Sequence, residues 1–173
     1  MLQQTRVEAV RGYFSRWMNA LPDIPALAAA DEAVYTKLWE GLGYYSRVRN
    51  LHRAAVLLCE EYGGELPADY DRLLALPGVG EYTAGAVASI AFGLPVPAVD
   101  GNVLRVAARL DNDFTPITDA KFKKQTRERF AALMPSDRPG DLNQSLMELG
   151  ATVCLPNRSE EHTSELQSLF AIS

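Results

Sequence analysis

Apolar residues recur at intervals of three and four along most of the chain, which is the spacing of amphipathic helices. In residues 2–20 the apolar positions are Leu2, Val7, Val10, Phe14, Trp17 and Met18. The same pattern predicts further helices at 31–39, 46–62, 69–76, 82–92, 102–111, 119–133 and 141–153. Pro22 and Pro25 forbid continuation of the first helix. No stretch alternates like a strand, so the pattern predicts an all-α fold without an internal repeat.

Composition adds limits on the class of protein. The chain has 173 residues, a net charge of −5 and two cysteines, Cys59 and Cys154. No apolar run approaches the roughly 20 residues of a membrane helix, and no leader is signalled. Two cysteines without motif spacing favour a reducing compartment and, taken alone, no metal site. The acidic balance argues against a protein that binds nucleic acid over its whole surface. However, Arg47, Arg49 and Arg53 form a local basic segment without an acid, and such a face can bind DNA.

The segment LPGVGEYTAG (76–85) joins two predicted helices through a short glycine-containing turn. Gly78 and Gly80 permit positive φ and let another backbone approach. The helix that follows begins with free N–H groups and the positive end of its dipole. Two interpretations remain open at this point. The turn is either an anion-binding site for a phosphate or a plain connection with glycines for packing.

A single acidic residue stands on the loop GLPVPAVDGN (93–102). Asp100 lies on a proline-flanked segment immediately before a predicted helix. Aspartate is a favoured helix N-cap, so this residue needs no catalytic role to explain it. A lone aspartate is therefore a weak signal of function.

The motifs in combination are more specific than any one of them. The turn LPGVG and the later VDGNV resemble the helix-hairpin-helix DNA glycosylases of base-excision repair. MLQQT (1–5), GLGYYSRVRNL (41–51), LPGVGEYTAGAVASIAFG (76–93) and NQSLMELGATVC (143–154) resemble the adenine DNA glycosylases, the MutY family. The resemblance covers residues 1–157. It implies two all-α lobes with DNA in a cleft between them, a six-helix-barrel lobe at 1–95 and a second lobe at 96–157.

The resemblance also implies an activity and a set of site residues. The family hydrolyses the N-glycosidic bond of adenine mispaired with 8-oxoguanine or guanine in double-stranded DNA, after the base leaves the stack. The implied catalytic residues are Asp100, which stabilises the oxocarbenium-like sugar, Asn102 and Tyr82. The implied DNA-binding residues are Gln4, Leu42 and Tyr44 at the lesion, Gly78, Val79 and Gly80 in the hairpin, and Gln144 against adenine.

Tyr82 indicates a subclass. Related bifunctional glycosylases carry a lysine at this position, which forms a Schiff base and permits strand cleavage. A tyrosine cannot form one, so the sequence predicts a monofunctional enzyme. Two alternatives remain: a bifunctional, endonuclease III-like glycosylase-lyase, and a non-catalytic helix-hairpin-helix module that only binds DNA.

Three features depart from the family pattern. The family's general acid is a glutamate two residues before the methionine of MLQQT, which here is Met1. The family also holds a 4Fe–4S cluster with four cysteines, of which only Cys154 has a counterpart here. In place of the others stands RSEEHTSELQSLFAIS (158–173), which matches an in-frame translation of a common sequencing adapter. We therefore expect a truncated chain that binds no cluster and is inactive by itself. We also expect a monomeric bacterial protein that lies in the cytoplasm, beside the nucleoid, and makes no contact with a membrane.

Overall fold

The computed structural model describes Met1 and residues 7–156, and this part of the chain is helical without strands. The all-α prediction is thereby confirmed. The helices are α1 (Val7–Ala20), α2 (Ile24–Ala28), α3 (Glu32–Trp39), α4 (Ser46–Tyr62), α5 (Tyr70–Leu74), α6 (Glu81–Phe92), α7 (Gly101–Leu110), α8 (Ala120–Leu133) and α9 (Pro139–Glu148), followed by a π-helical segment, π1 (Leu149–Val153). None of the helices described is long and apolar enough to cross a bilayer.

The prolines after α1 begin a helix that the sequence analysis missed. Pro25 lies in the first turn of α2, where its missing N–H would be unpaired in any case. The side chain of Asp23 caps this turn by accepting a hydrogen bond of 2.8 Å from the amide of Ala26. Prolines end a preceding helix, but the pattern Asp-x-Pro at 23–25 is also a helix start.

Contacts divide the chain into two compact units, which we call the N-terminal unit (Met1–Val79) and the C-terminal unit (Gly80–Ser173). The boundary between them falls within the glycine-containing turn. The division of the family fold into lobes at residues 95 and 96 stays a prediction.

The N-terminal unit is built around two tryptophans. The rings of Trp17 in α1 and Trp39 in α3 meet edge to face, with 5.7 Å between their centroids and 76° between their planes. Leu42, Val48 and Ala55 extend the same buried cluster into the next loop and α4. Edge-to-face aromatic pairs add specific geometry to the burial of large apolar surfaces. This cluster therefore fixes the loop between α3 and α4.

The C-terminal unit depends on close packing of small residues. Ala84, Gly85, Ala88 and Ser89 are buried on α6. A Cβ atom on Gly85 would lie 2.4 Å from the carbonyl oxygen of Pro97, so only glycine allows this loop to cross α6 so closely. The small apolar composition of residues 82–92 predicted such a closely packed helix, and this prediction is confirmed.

Candidate active site

Asp100 is the N-cap residue of α7 and is half-buried. Its Oδ1 accepts a hydrogen bond of 2.9 Å from the amide of Val103. Its Oδ2 accepts another of 2.9 Å from Nδ2 of Asn102. Because each carboxylate oxygen has two lone pairs, both retain acceptor capacity. The cap interpretation is thus correct, and it leaves the carboxylate oriented and able to accept further bonds.

The loop that carries Asp100 is anchored by Asn143, a residue that the sequence analysis gave no role. Asn143 lies in α9 and is 1% exposed. Its Oδ1 accepts a hydrogen bond of 2.9 Å from the amide of Ala98, and its Nδ2 donates to the carbonyl oxygen of Val96 at 2.9 Å and to Oγ of Ser89 at 2.7 Å. One amide therefore joins the loop, α6 and α9.

Tyr82 lies in the first turn of α6 and is 37% exposed. Its hydroxyl donates to the sulfur of Met147 in α9 at 3.1 Å. Burial raises the pKa of this hydroxyl above its usual value of 10.0, and the negative charge of Asp100 raises the pKa further. Tyr82 and Asp100 thus lie in one electrostatic environment, where the tyrosine is neutral at physiological pH and can donate a hydrogen bond.

A chain of hydrogen bonds runs from Asp100 to Cys154. Asn102, which donates to Asp100, accepts a bond of 2.8 Å from Nη2 of Arg105. The same guanidinium donates to the carbonyl oxygens of Gly150 at 2.7 Å and of Cys154 at 2.8 Å. The sequence offered no signal for Arg105 beyond its place on a helix next to Asn102. The geometry couples the position of π1 to the orientation of the carboxylate.

The residues present do not fit a four-thiolate cluster. Cys154 is buried, and its sulfur accepts a hydrogen bond of 3.0 Å from Nη1 of Arg109. Cys59, the second cysteine of the 173-residue sequence, belongs to the N-terminal unit. Within the described part of the chain, no group of three His, Cys, Asp or Glu residues is arranged to hold a metal.

The other predicted site residue of α9 is Gln144. Its side chain is exposed, and Nε2 lies 3.3 Å from the carbonyl oxygen of Gly140, its acceptor one turn earlier. The exposed amide is therefore available to a partner, and its contact with adenine stays a prediction. Gln4 lies outside the described residues.

The two glycines of the turn after α5 have different reasons to be glycine. Gly78 has φ of +77°, and a Cβ on it would lie 2.7 Å from Cβ of Asn50 in α4. Gly80 has φ of −98°, which any residue adopts, so it does not use the left-handed conformation that a glycine permits. Nothing lies within 4 Å of where its Cβ would be. Gly80 is the N-cap residue of α6 and has no side chain, and the preceding Val79 is half-buried. A partner can therefore approach the N–H groups in the first turn of α6.

The loop between α3 and α4 presents Tyr44 to solvent. Tyr44 is 66% exposed and has φ of +48°, an uncommon conformation for a residue with a side chain. Leu42, two residues earlier, is 7% exposed in the core of the N-terminal unit. The side chain of Tyr44 is thus free to contact DNA, whereas Leu42 offers a partner only its backbone. Both contacts with DNA stay predictions.

Comparisons with known proteins identify the family to which the chain belongs. Residues 1–134 match the model of the HhH-GPD superfamily base excision DNA repair proteins, and the chain belongs to this family. It is 45% identical to the adenine DNA glycosylase of Rattus norvegicus over 170 residues, which are 98% of this chain and 33% of the rat protein. It is 43% identical to that of Mycolicibacterium smegmatis over 155 residues, which are 89% of this chain and 52% of that protein. The chain thus spans about a third of the rat protein and about half of the mycobacterial one.

Solved structures support the same fold. The chain is similar to a thermostable thymine-DNA glycosylase, with a TM-score of 0.82 and 25% identity over 95% of this chain and 77% of that one. It is also similar to endonuclease III in a trapped covalent intermediate with DNA, with a TM-score of 0.80, 24% identity, and coverage of 96% and 81%. These comparisons confirm the predicted helix-hairpin-helix DNA glycosylase fold.

Proposed function

We propose that the chain is part of an adenine DNA glycosylase that hydrolyses the N-glycosidic bond of adenine mispaired with 8-oxoguanine or guanine. The observation that carries this proposal is the oriented, half-buried Asp100, held by Asn102 and Val103 beside a neutral Tyr82. The names of the relatives that align with most of this chain support the choice of adenine as the base.

The chemistry needs a carboxylate at this point. As the bond to adenine breaks, the sugar acquires positive charge, and a nearby carboxylate stabilises it. Hydrogen bonds to both oxygens hold Asp100 in one orientation, so little reorganisation is needed during the reaction. Tyr82 lines the pocket on the side of α6, and Gln144 contacts the flipped base. Gly78, Val79 and Gly80 hold the phosphate backbone, which positions DNA without reading bases.

We further propose that the reaction is monofunctional. A Schiff base requires an amine, and the residue at the hairpin position is Tyr82. We expect the 173-residue chain by itself to bind duplex DNA as a monomer without releasing adenine. We propose that the protein acts in the cytoplasm beside the bacterial nucleoid.

The proposal is tested with an extended protein, in which the flanking residues of the mycobacterial relative are joined to residues 1–157. Adenine release from a duplex with one adenine opposite 8-oxoguanine is measured under single turnover. We expect release by the extended protein and a loss of at least about a hundredfold with Asp100→Asn. Full activity without the carboxylate would refute the role of Asp100. A non-catalytic binding module would instead bind DNA equally well with Asp100→Asn and release no base in either form.

Trapping with borohydride distinguishes a monofunctional enzyme from the bifunctional glycosylase-lyase. A bifunctional enzyme forms a Schiff base with the abasic sugar, and reduction traps it as a covalent complex. We expect no trapped complex with the extended protein, and a trapped complex would show that the bifunctional interpretation is correct. Endonuclease III in the same assay is the positive control.

A further inference from the structure

Tyr44 holds a conformation that its own sequence does not favour. A tyrosine with φ of +48° is strained, and its ring is 66% exposed instead of buried. Such backbone strain persists only where the surrounding structure determines it, and it often marks a functional site. The contacts of the loop at 41–45 therefore need to account for it.

The contacts converge on Arg47, in the first turn of α4. Its Nη2 donates to the carbonyl oxygen of Leu42 at 3.0 Å and to that of Gly43 at 3.3 Å. Its Nη1 donates to the carbonyl oxygen of Met1 at 3.2 Å. Trp39 donates its Nε1 proton to the same Gly43 carbonyl at 3.0 Å. The Gly43 carbonyl that precedes Tyr44 is thus bound by Arg47 and by Trp39, and the Leu42 carbonyl by Arg47.

The guanidinium of Arg47 also lies between two rings. It is 5.2 Å from the ring centroid of buried Trp39 and 5.6 Å from that of exposed Tyr44. Both distances are within the range of cation–π attraction. A planar group with several fixed donors suits this double role, and a lysine would not reproduce it. Arg47 therefore links the aromatic core to the exposed tyrosine.

Its neighbour on the same helix behaves differently. Arg49 is exposed, and its Nε lies 3.2 Å from Oε1 of Glu32. Arg47 is half-buried and bonded to the protein's own backbone. Within the basic segment at 44–53, Arg47 thus serves the loop, whereas Arg49 is exposed and pairs with Glu32.

We propose that Arg47 is a positioning residue, which holds Tyr44 exposed and left-handed before any DNA is bound. This proposal rests on the proposed function in one respect: the partner is DNA, and an exposed aromatic ring on a fixed loop can insert between its stacked bases. A wedge that is ordered in advance loses less conformational entropy on binding than a mobile one.

The first experiment uses the free 173-residue chain and needs no DNA. Amide hydrogen exchange and ¹³C chemical shifts of residues 43–46 are compared in the parent, Arg47→Gln, Arg47→Lys and the matched control Arg49→Gln. We expect exchange at these amides to increase by about tenfold or more with Arg47→Gln. The shifts of Tyr44 should also leave their left-handed values, less so with Arg47→Lys and not with Arg49→Gln. Unchanged exchange and shifts in both Arg47 variants would overturn the proposal, and Arg47→Lys decides if Arg47→Gln does not fold.

The second experiment places 2-aminopurine beside an adenine–8-oxoguanine mispair, where its fluorescence reports unstacking. We expect the parent chain to raise the fluorescence, and Arg47→Gln to lose this effect as Tyr44→Ala does. The double variant should lose no more than Tyr44→Ala alone. A further loss on adding Arg47→Gln to Tyr44→Ala would mean that Arg47 contacts DNA itself, which overturns the positioning role. If the parent chain binds no mispaired duplex, this result contradicts the proposed function. The measurement without DNA still decides the role of Arg47.

Discussion

Replacing Asn143 by alanine should destabilise the C-terminal unit by more than the loss of one hydrogen bond, because its side-chain amide bonds three partners. Asn143, Ala98 and Ser89 are each no more than 2% exposed, so water does not reach the bonds between them. The variant leaves the amide of Ala98 and the carbonyl of Val96 without their partner. Ser89 keeps its bond to the carbonyl of Gly85 at 2.8 Å.

The expected loss follows from these partners. A buried group left unpaired costs about 1–3 kcal/mol. The amide of Ala98 loses its partner in a dry environment, whereas Val96 is half-exposed and gains water. We therefore expect Asn143→Ala to lower the free energy of unfolding by about 2–4 kcal/mol. The matched control is Gln144→Ala, the exposed next residue of α9, which should change it by less than about 0.5 kcal/mol.

The assay must report on the correct unit. Both tryptophans, Trp17 and Trp39, lie in the N-terminal unit, so their fluorescence reports directly on that unit. Urea unfolding is therefore followed by circular dichroism and by exchange of the Ala98 amide, with tryptophan fluorescence as an internal control. If Asn143→Ala and Gln144→Ala unfold within about 0.5 kcal/mol of each other, the anchoring role of Asn143 is refuted.

Asn143→Asp tests in which direction the free energy of unfolding changes with pH. The introduced carboxyl has nearly the same shape, but its second oxygen would face the carbonyl of Val96. Burial favours the neutral acid and raises its pKa above the ordinary value of about 3.9. Its contribution to stability is therefore present below that value and is lost as pH rises through the raised pKa. Asn143→Ala should lack this dependence on pH.

Four further changes test other parts of the C-terminal unit. Gly85→Ala should cost about 1–3 kcal/mol in urea unfolding, because the new Cβ meets the carbonyl oxygen of Pro97; no loss would disprove the close crossing. Asp100→Ala should cost about 1 kcal/mol through the lost cap, while Asp100→Asn keeps most of that stability. Arg105→Gln should speed amide exchange at Asn102 and in π1 together, and separate responses would disprove their coupling. In spectrophotometric titration Tyr82 should ionise above pH 10.0, so the stability it contributes is present below that pH and is lost as pH rises through its raised pKa. Tyr82→Phe should remove this alkaline loss.

The sequence predicted most helices because their apolar spacing and their stop residues are local signals. The predicted helix 46–62 matches α4, and the predicted 119–133 differs from α8 by one residue. The predicted helix 141–153 begins earlier, at Pro139, and becomes π-helical from Leu149. Spacing does not distinguish α from π turns. The contacts of Arg105 and Asn102 with Gly150 come from another helix and leave no trace in the local pattern.

The supporting residues of the candidate site were harder to predict than the residues they support. Asp100 and Tyr82 stood within recognisable motifs. Asn143 and Arg47 also stood within these motifs, and Arg105 stood on a predicted helix, but their roles depend on backbone carbonyls and amides that only the folded chain brings near. A hydrogen bond between residues 45 positions apart, such as that of Asn143 with Ala98, leaves no periodic trace in a single sequence.

The cap and the catalytic interpretation of Asp100 are compatible for a physical reason. A carboxylate at a helix N-cap is held by the first-turn amides and stabilised by the helix dipole. The same bonds that begin α7 therefore orient the charge that the proposed reaction needs. That orientation also depends on Asn143 through the loop at 93–100, and on Arg105 through the segment that ends at Cys154. It follows that the hairpin, the loop and α7 do not by themselves make the site. A chain that ended before residue 143 would keep the local cap of Asp100 but lose the long-range bonds that fix its direction.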